Sequence, residues 1–138
     1  MKTLLVATTL FVALSSFVLM GGHTFAILLD SKEVTQQMVT GNTSIPKIVI
    51  GANESHELII KYSECGRTVS GRKITAKDNN GKVLKEWKFD GTTSAFKDPM
   101  KLTVKDLVSL TGKSNGALKL FYSSNDFPEG QQVATIVI

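Results

Sequence analysis

Cys65 and His56 are the pair that would serve nucleophilic chemistry in this sequence once its apolar start is set aside, because a thiol becomes a strong nucleophile with a base in hydrogen-bond reach. Their placement argues against that use. The residues between them, Glu57 to Glu64, alternate as a strand, and at roughly 3.3 Å per residue such a strand holds the two side chains about 30 Å apart. Cys65 is the one cysteine of the chain, so it has no internal disulfide partner and is a candidate for pairing between chains. Histidines, cysteines and carboxylates show no metal-ligand spacing, no serine stands in a nucleophile elbow, and no glycine run has a phosphate-cradling order. The sequence assigns no catalytic residue, no metal and no cofactor. Asp78, Glu86, Asp90, Asp98, Asp106, Asp126 and Glu129 are scattered. A loop-borne acid pair, or calcium near Asp90 and Asp98, stays open beside their simpler use as solvated turn formers.

Basic residues are more concentrated than acids. Lys61, Arg67, Arg72, Lys73, Lys77, Lys82, Lys85 and Lys88 fall in one stretch, opposed there by Glu64, Asp78 and Glu86. The formal charge of +4 is too small to point to nucleic acid, so the arrangement matters more than the total. Asn80-Gly81 between two alternating runs predicts a hairpin with a two-residue type I′ turn. Counted outward from that turn, Lys77 faces Leu84, Ala76 faces Lys85, Thr75 faces Glu86, Ile74 faces Trp87 and Lys73 faces Lys88. Parity then sends Ile74, Ala76, Val83, Trp87 and Phe89 inward and Lys73, Thr75, Lys77, Glu86 and Lys88 outward. Lysines directly across two strands repel mildly unless something outside neutralises them, as an acidic glycan, an anionic membrane surface or an acidic protein would. The same lysines also protect a sheet from aggregation. Lys73, Lys77 and Lys88 are the binding candidates. Phe127, in the turn Asp126-Phe127-Pro128-Glu129-Gly130, joins them as a contact residue or folds back onto the core.

These residues need a frame. A chain of 138 residues is one domain by the usual size prior, and 42% hydrophobic with 20% charged residues excludes disorder. Residues 1–26 hold Met1-Lys2, an uncharged apolar run from Thr3 to Met20 and a small-residue end at Ala26, which reads as a signal peptide cut after Ala26. An uncleaved membrane anchor is the alternative. Export places the protein in the secreted, periplasmic or cell-surface space, and losing Lys2 lowers the formal charge to about +3. Residues 27–46 read as an N-terminal segment and linker. Ile27 to Val39 is an edge strand, or a short helix capped by Ser31, and Thr40 to Pro46 is rich in turn formers. Asn42 and Asn53 each begin a glycosylation sequon.

Residues 47–138 alternate and break at intervals of roughly 8–12 residues, giving about seven or eight strands and an all-β class, a two-layer antiparallel β-sandwich. Met100 to Asp106 alternates, Asp106 to Leu110 reads as a helical crossover, and Leu118 to Ile138 reads as the hairpin that closes the core. In the passage Leu102-x-Val104, crossover, then Ser114 through Leu120, the chain resembles the strand E to strand F passage of immunoglobulin-like domains. It lacks their cysteine pair, and Trp87 stands on the second strand of the hairpin, so the resemblance implies a sandwich and no particular activity. The expected function is an exported non-enzymatic binding or interaction module. The alternatives are a small extracytoplasmic hydrolase or inhibitor with a loop-borne site, and a structural subunit that adds Ile27 to Val39 to a neighbour's sheet.

Overall fold

Alternating apolar and polar residues produce nine strands and one short helix in the computed structural model, which describes residues 22–40, 43–51, 56–93, 98–114 and 116–138. The strands are β1 (His23–Leu29), β2 (Lys32–Met38), β3 (Lys47–Val49), β4 (Glu57–Glu64), β5 (Arg72–Lys77), β6 (Val83–Phe89), β7 (Met100–Thr103), β8 (Ala117–Ser123) and β9 (Gln131–Val137). Helix α1 (Val104–Thr111) joins β7 to β8. The small sheet has the order β2-β1-β4-β7 and the large sheet β3-β9-β8-β5-β6. All named pairs are antiparallel except β3 with β9.

Period-two patterning fixes which side chains meet between the sheets. Phe25, Ile27, Leu58, Ile60, Tyr62, Met100 and Leu102 from the small sheet, and Ile74, Ala76, Leu118, Leu120, Tyr122, Val133 and Ile136 from the large one, are each 1% exposed or less. Burying a large apolar side chain of this kind contributes about 1.5–3 kcal/mol. Helix α1 closes one end of the core through Leu107 and Leu110. It starts where the Thr103 hydroxyl accepts from the Asp106 amide at 3.4 Å, an N-cap that ends β7. The expected closing hairpin is β8 and β9, and both strands lie inside the large sheet rather than at its edge.

The N-terminal expectation changes. Ile27 to Val39 is neither a single edge strand nor a helix: Asp30 and Ser31, with φ of 51° and 69°, turn the chain between β1 and β2. The Asp30 carboxylate accepts the His56 and Glu57 amides at 2.8 and 2.9 Å, tying this turn to the start of β4. β1 therefore sits inside the sheet, and β2 is its edge. β1 also begins at His23, so a line drawn after Ala26 divides the strand and separates Phe25 from the core it fills. The rest of the segment read as a leader, 1–21, lies outside the described residues, as do Asn42, Asn53 and Phe96. Among the described residues no helix is long and apolar enough to cross a membrane.

In the β5–β6 hairpin the counted register holds from Lys73 opposite Lys88 through Ala76 opposite Lys85, then slips, so that Lys77 faces Val83 instead of Leu84. The turn is longer than two residues. Asp78 N–H donates to the Lys82 carbonyl at 3.0 Å and Gly81 N–H to the Asp78 carbonyl at 3.1 Å, while the Asp78 carboxylate accepts the Asn80 and Lys82 amides, each at 2.9 Å. Gly81 alone in this turn takes positive φ, 81°, the three-residue loop with a glycine bulge. Because one residue of slip reverses parity, Val83 points outward and is 49% exposed. That corrects its inward assignment.

Candidate functional site

The outer face of the large sheet collects lysines from four strands in rows set by the register. One row runs Lys88, Lys73, Ser123 across β6, β5 and β8; a second runs Glu86, Thr75, Phe121, Gln132; a third runs Val83, Lys77, Lys119, Thr135, Lys47 out to β3. Lys73 stands directly opposite Lys88, and Lys77 directly opposite Lys119. Glu86 is the one acid in these rows, and its carboxylate lies 3.4 Å from Lys73 Nζ. Lys77 Nζ sits 4.4 Å from the centre of the Phe121 ring, a cation–π contact that holds its charge over the sheet.

Lys73, Lys77 and Lys88 thus share one face, as their parity implies, and the structure adds Lys119 and Lys47 to them. Strand alternation alone places Lys119 opposite in direction to Leu118 and Leu120, but that β8 lies beside β5 is a tertiary fact. The rest of the basic stretch disperses. Lys61 lies on β4 in the other sheet, and Lys85 pairs with Asp106 at 3.2 Å. The hydrogen bond from Lys85 holds the Asp106 carboxyl below its usual range. Arg72 is 1% exposed and gives its guanidinium to the Asp98 carbonyl at 2.8 Å and the Asp98 carboxylate at 3.4 Å.

At the Lys73–Lys88 end the face opens into a cleft of about 570 Å³, lined by Ser70, Lys73, Lys88, Phe89, Ser123 and Asn125 among others. Three loops build its rim: those after β4, after β6 and after β8. Two are latched together. Asn125 N–H donates to the Ser70 carbonyl at 3.1 Å and its side-chain amide to the Ser70 hydroxyl at 3.3 Å. Gly71, at φ +66°, makes this possible, since a Cβ there would stand 2.2 Å from the Asn125 amide oxygen.

No protein-family model matches the chain, and no curated protein matches it either. Its reading therefore rests on its own geometry.

Beneath the cleft, on the inner side, a second polar group is enclosed. Glu64 is 1% exposed; Tyr122 O–H donates to its carboxylate at 2.5 Å and Ser124 O–H to the same oxygen at 2.7 Å. Tyr62 stacks on Tyr122 with ring centres 3.9 Å apart, and its hydroxyl lies 2.8 Å from His23 Nδ1. Burial, then the Glu64 charge, pushes the Tyr62 phenol well above the usual tyrosine range. At Tyr122 burial does the same, followed by its hydrogen bond to Glu64. His23 was hidden in the sequence because it falls within residues 1–26, read there as a signal peptide. Phe127 folds back here, its ring edge-on to His23 at 4.8 Å, and it packs half-buried against the core.

His56 and Cys65 flank β4 at opposite ends, as their spacing requires. Cys65 is exposed and makes no disulfide within the chain. Among the described residues no group of three or more histidine, cysteine or acidic side chains is placed to hold a metal ion.

Proposed function

We propose that this protein is an exported binding module of non-enzymatic character that recognises an acidic glycan through the outer face of its large sheet. The observation that carries the reading is the set Lys47, Lys73, Lys77, Lys88 and Lys119 on one face, two lysine pairs standing directly opposite each other, with Glu86 the one acid in their rows and Asp90 at the rim of the cleft. Like charges on neighbouring strands destabilise the sheet mildly when unneutralised, so an anionic partner gains the relief of that repulsion as well as its own ion pairs. A glycan is favoured over a bare anionic surface by the cleft at the end of the face. Its hydroxyls (Ser70, Ser123), its amide (Asn125) and the Phe89 ring supply hydrogen bonds and an apolar wall beside Lys73 and Lys88, which suits a polar ring bearing a carboxylate or sulfate. The order β9-β8-β5-β6 in one sheet with β1-β4-β7 in the other, and a helical crossover before β8, support an immunoglobulin-like reading of the fold.

Export through an N-terminal leader belongs to the same reading, with its cut ahead of His23 because a cut after Ala26 would take Phe25, 1% exposed, out of the core. N-terminal sequencing of the secreted protein checks this: a first residue beyond His23 contradicts it. For the ligand, calorimetric titration with sulfated and uronate oligosaccharides is expected to show saturable binding that Lys73→Glu with Lys88→Glu abolishes. Binding to anionic vesicles or acidic peptides, with none to the oligosaccharides, would replace the glycan by another anionic partner. Oligosaccharide binding unaltered by the two reversals would remove the face from the account.

A further inference from the structure

Four strands end the two sheets, and three of them are guarded against pairing with another chain. β3 and β7 have three and four residues, the first preceded by Pro46 and the second running straight into α1. β6 carries Lys85, Glu86 and Lys88. β2 is different. It has seven residues, and after Lys32 and Glu33 it reads Val34-Thr35-Gln36-Gln37-Met38 without a charge. Among the described residues β1 is its one strand neighbour, and Val34 and Met38 are 46% and 53% exposed. A long uncharged edge presents unpaired N–H and C=O groups as a template for a further strand.

We propose that β2 pairs antiparallel with β2 of a second copy of this chain, joining the two small sheets into one. The register that fits places the two-fold axis at Gln36. Gln36 then lies opposite its own counterpart, Thr35 opposite Gln37, and Val34 opposite Met38. Gln36 and Met38 pair at home with Ala26 and Thr24 and so share the outer face, whereas Thr35 and Gln37 pair with Ile27 and Phe25 and face inward. Residues directly opposite in an antiparallel pair lie on one face, a condition this register meets at Thr35, Gln36 and Gln37. The irregularity between Ile27 and Leu28 leaves Val34 as an extra residue on β2. The ladder between copies therefore spans Thr35 to Gln37, with Val34 against Met38 at each end. Lys32 and Glu33 fall opposite Thr40 and Val39, so no like charges meet. An axis at Thr35 would set Lys32 against Met38, and one at Gln37 would part the two exposed apolar side chains.

This symmetry has a consequence for the large sheets. The two-fold axis of an edge-to-edge antiparallel pair runs perpendicular to the sheet, so both large sheets lie on the same side of the joined one and both lysine faces look the same way. The dimer is a bivalent basic surface, and a long polyanion that reaches both faces gains from the second as an intramolecular event. The pairing itself does not depend on what those faces bind.

The test uses the full chain made in a secreting host. In a Cys65→Ser background, Gln36→Cys is expected to oxidise to a covalent dimer, because opposed residues stand about 4.5–5.5 Å apart in an antiparallel pair. Met38→Cys, as exposed but four positions out of register and about 14 Å from its counterpart at roughly 3.4 Å per residue, is expected to form no covalent dimer under the same conditions. Light scattering is expected to give the mass of two chains for the unaltered protein and of one chain for Val34→Lys with Met38→Lys, both retaining the strand signal in circular dichroism. A single-chain mass at the highest soluble concentration, or equal cross-linking of the two cysteine variants, overturns the proposal.

Discussion

Two groups of polar residues share one end of this molecule and obey opposite rules. On the outer face Lys73 and Lys88 stand side by side in water, with like charges adjacent and one carboxylate, Glu86, in reach. On the inner face Tyr122 and Ser124, which flank the Ser123 paired with Lys73, enclose Glu64 with short hydrogen bonds to one of its oxygens. The inner group is enclosed by its own chain, with both hydroxyls on one Glu64 oxygen, Oε2, and the other, Oε1, buried without a hydrogen bond; the outer group is open to water. A buried carboxylate without donors would be costly, and the fold supplies two, both to Glu64 Oε2. Exposed lysines face no such demand, and their repulsion is what an anionic partner would relieve under the proposed function. Binding should therefore respond to the outer group and stability to the inner one.

The largest expected effect is on binding. Reversing Lys73 and Lys88 together, or Lys77 and Lys119 together, should weaken affinity for a sulfated polysaccharide by on the order of tenfold or more per pair at low salt, with the urea unfolding midpoint unchanged or slightly lowered, since each reversed pair again sets like charges face to face. Lys61→Glu, on the other sheet, is the control that should leave binding unchanged. Next comes Glu64→Ala, which strips the acceptor from two buried hydroxyls and should lower unfolding free energy by about 3 kcal/mol, measured in urea, with polysaccharide binding retained. Tyr122→Phe removes one charge-assisted hydrogen bond and should cost about 1.5–3 kcal/mol.

Alkaline titration sharpens the inner half of the comparison. Tyr62 and Tyr122 are the two tyrosines of the chain, and both phenols are raised in the folded state. A raised folded pKa means that the native state holds its proton when the unfolded chain has lost it. The stability this contributes is full below about pH 10, the ordinary tyrosine value, and falls as pH climbs from there toward the folded values. Phenolate absorbance should thus appear together with unfolding and not before it. The smallest effect is expected at Lys85–Asp106, where both partners are around 40% exposed. Asp106→Asn should change stability by about 1 kcal/mol or less. The lowered Asp106 pKa makes its contribution present above about pH 4, the ordinary carboxyl range, and lost as pH falls through the folded value.

Much of the outer group was legible in the sequence. Asn80-Gly81 and period-two parity put Lys73 opposite Lys88, because a hairpin is local and its register is counted from its own turn. The count failed past Ala76, where the Asp78 side chain and Gly81 make a longer loop whose bulge turns Val83 outward. Lys119 and Lys47 were out of reach, since which strands lie side by side in a sheet is decided by packing and not by any one strand. The inner group was hidden for a different reason. Glu64 reads as a surface acid at the end of an alternating strand, and only the approach of Tyr122 from the other sheet makes it interior. His23 was masked by the apolar run that precedes Gly21 and Gly22, because that pattern does not mark where β1 begins.

The most direct measurement is the affinity of the unaltered protein and of its Lys73→Glu, Lys77→Glu, Lys88→Glu, Lys119→Glu variant for a sulfated polysaccharide across a series of salt concentrations. The account predicts that log affinity of the unaltered protein falls linearly with log salt, as counterions released by its lysines require, and that the variant binds too weakly to show a slope. Equal affinities with equal slopes, in two proteins that unfold at the same urea concentration, would contradict it.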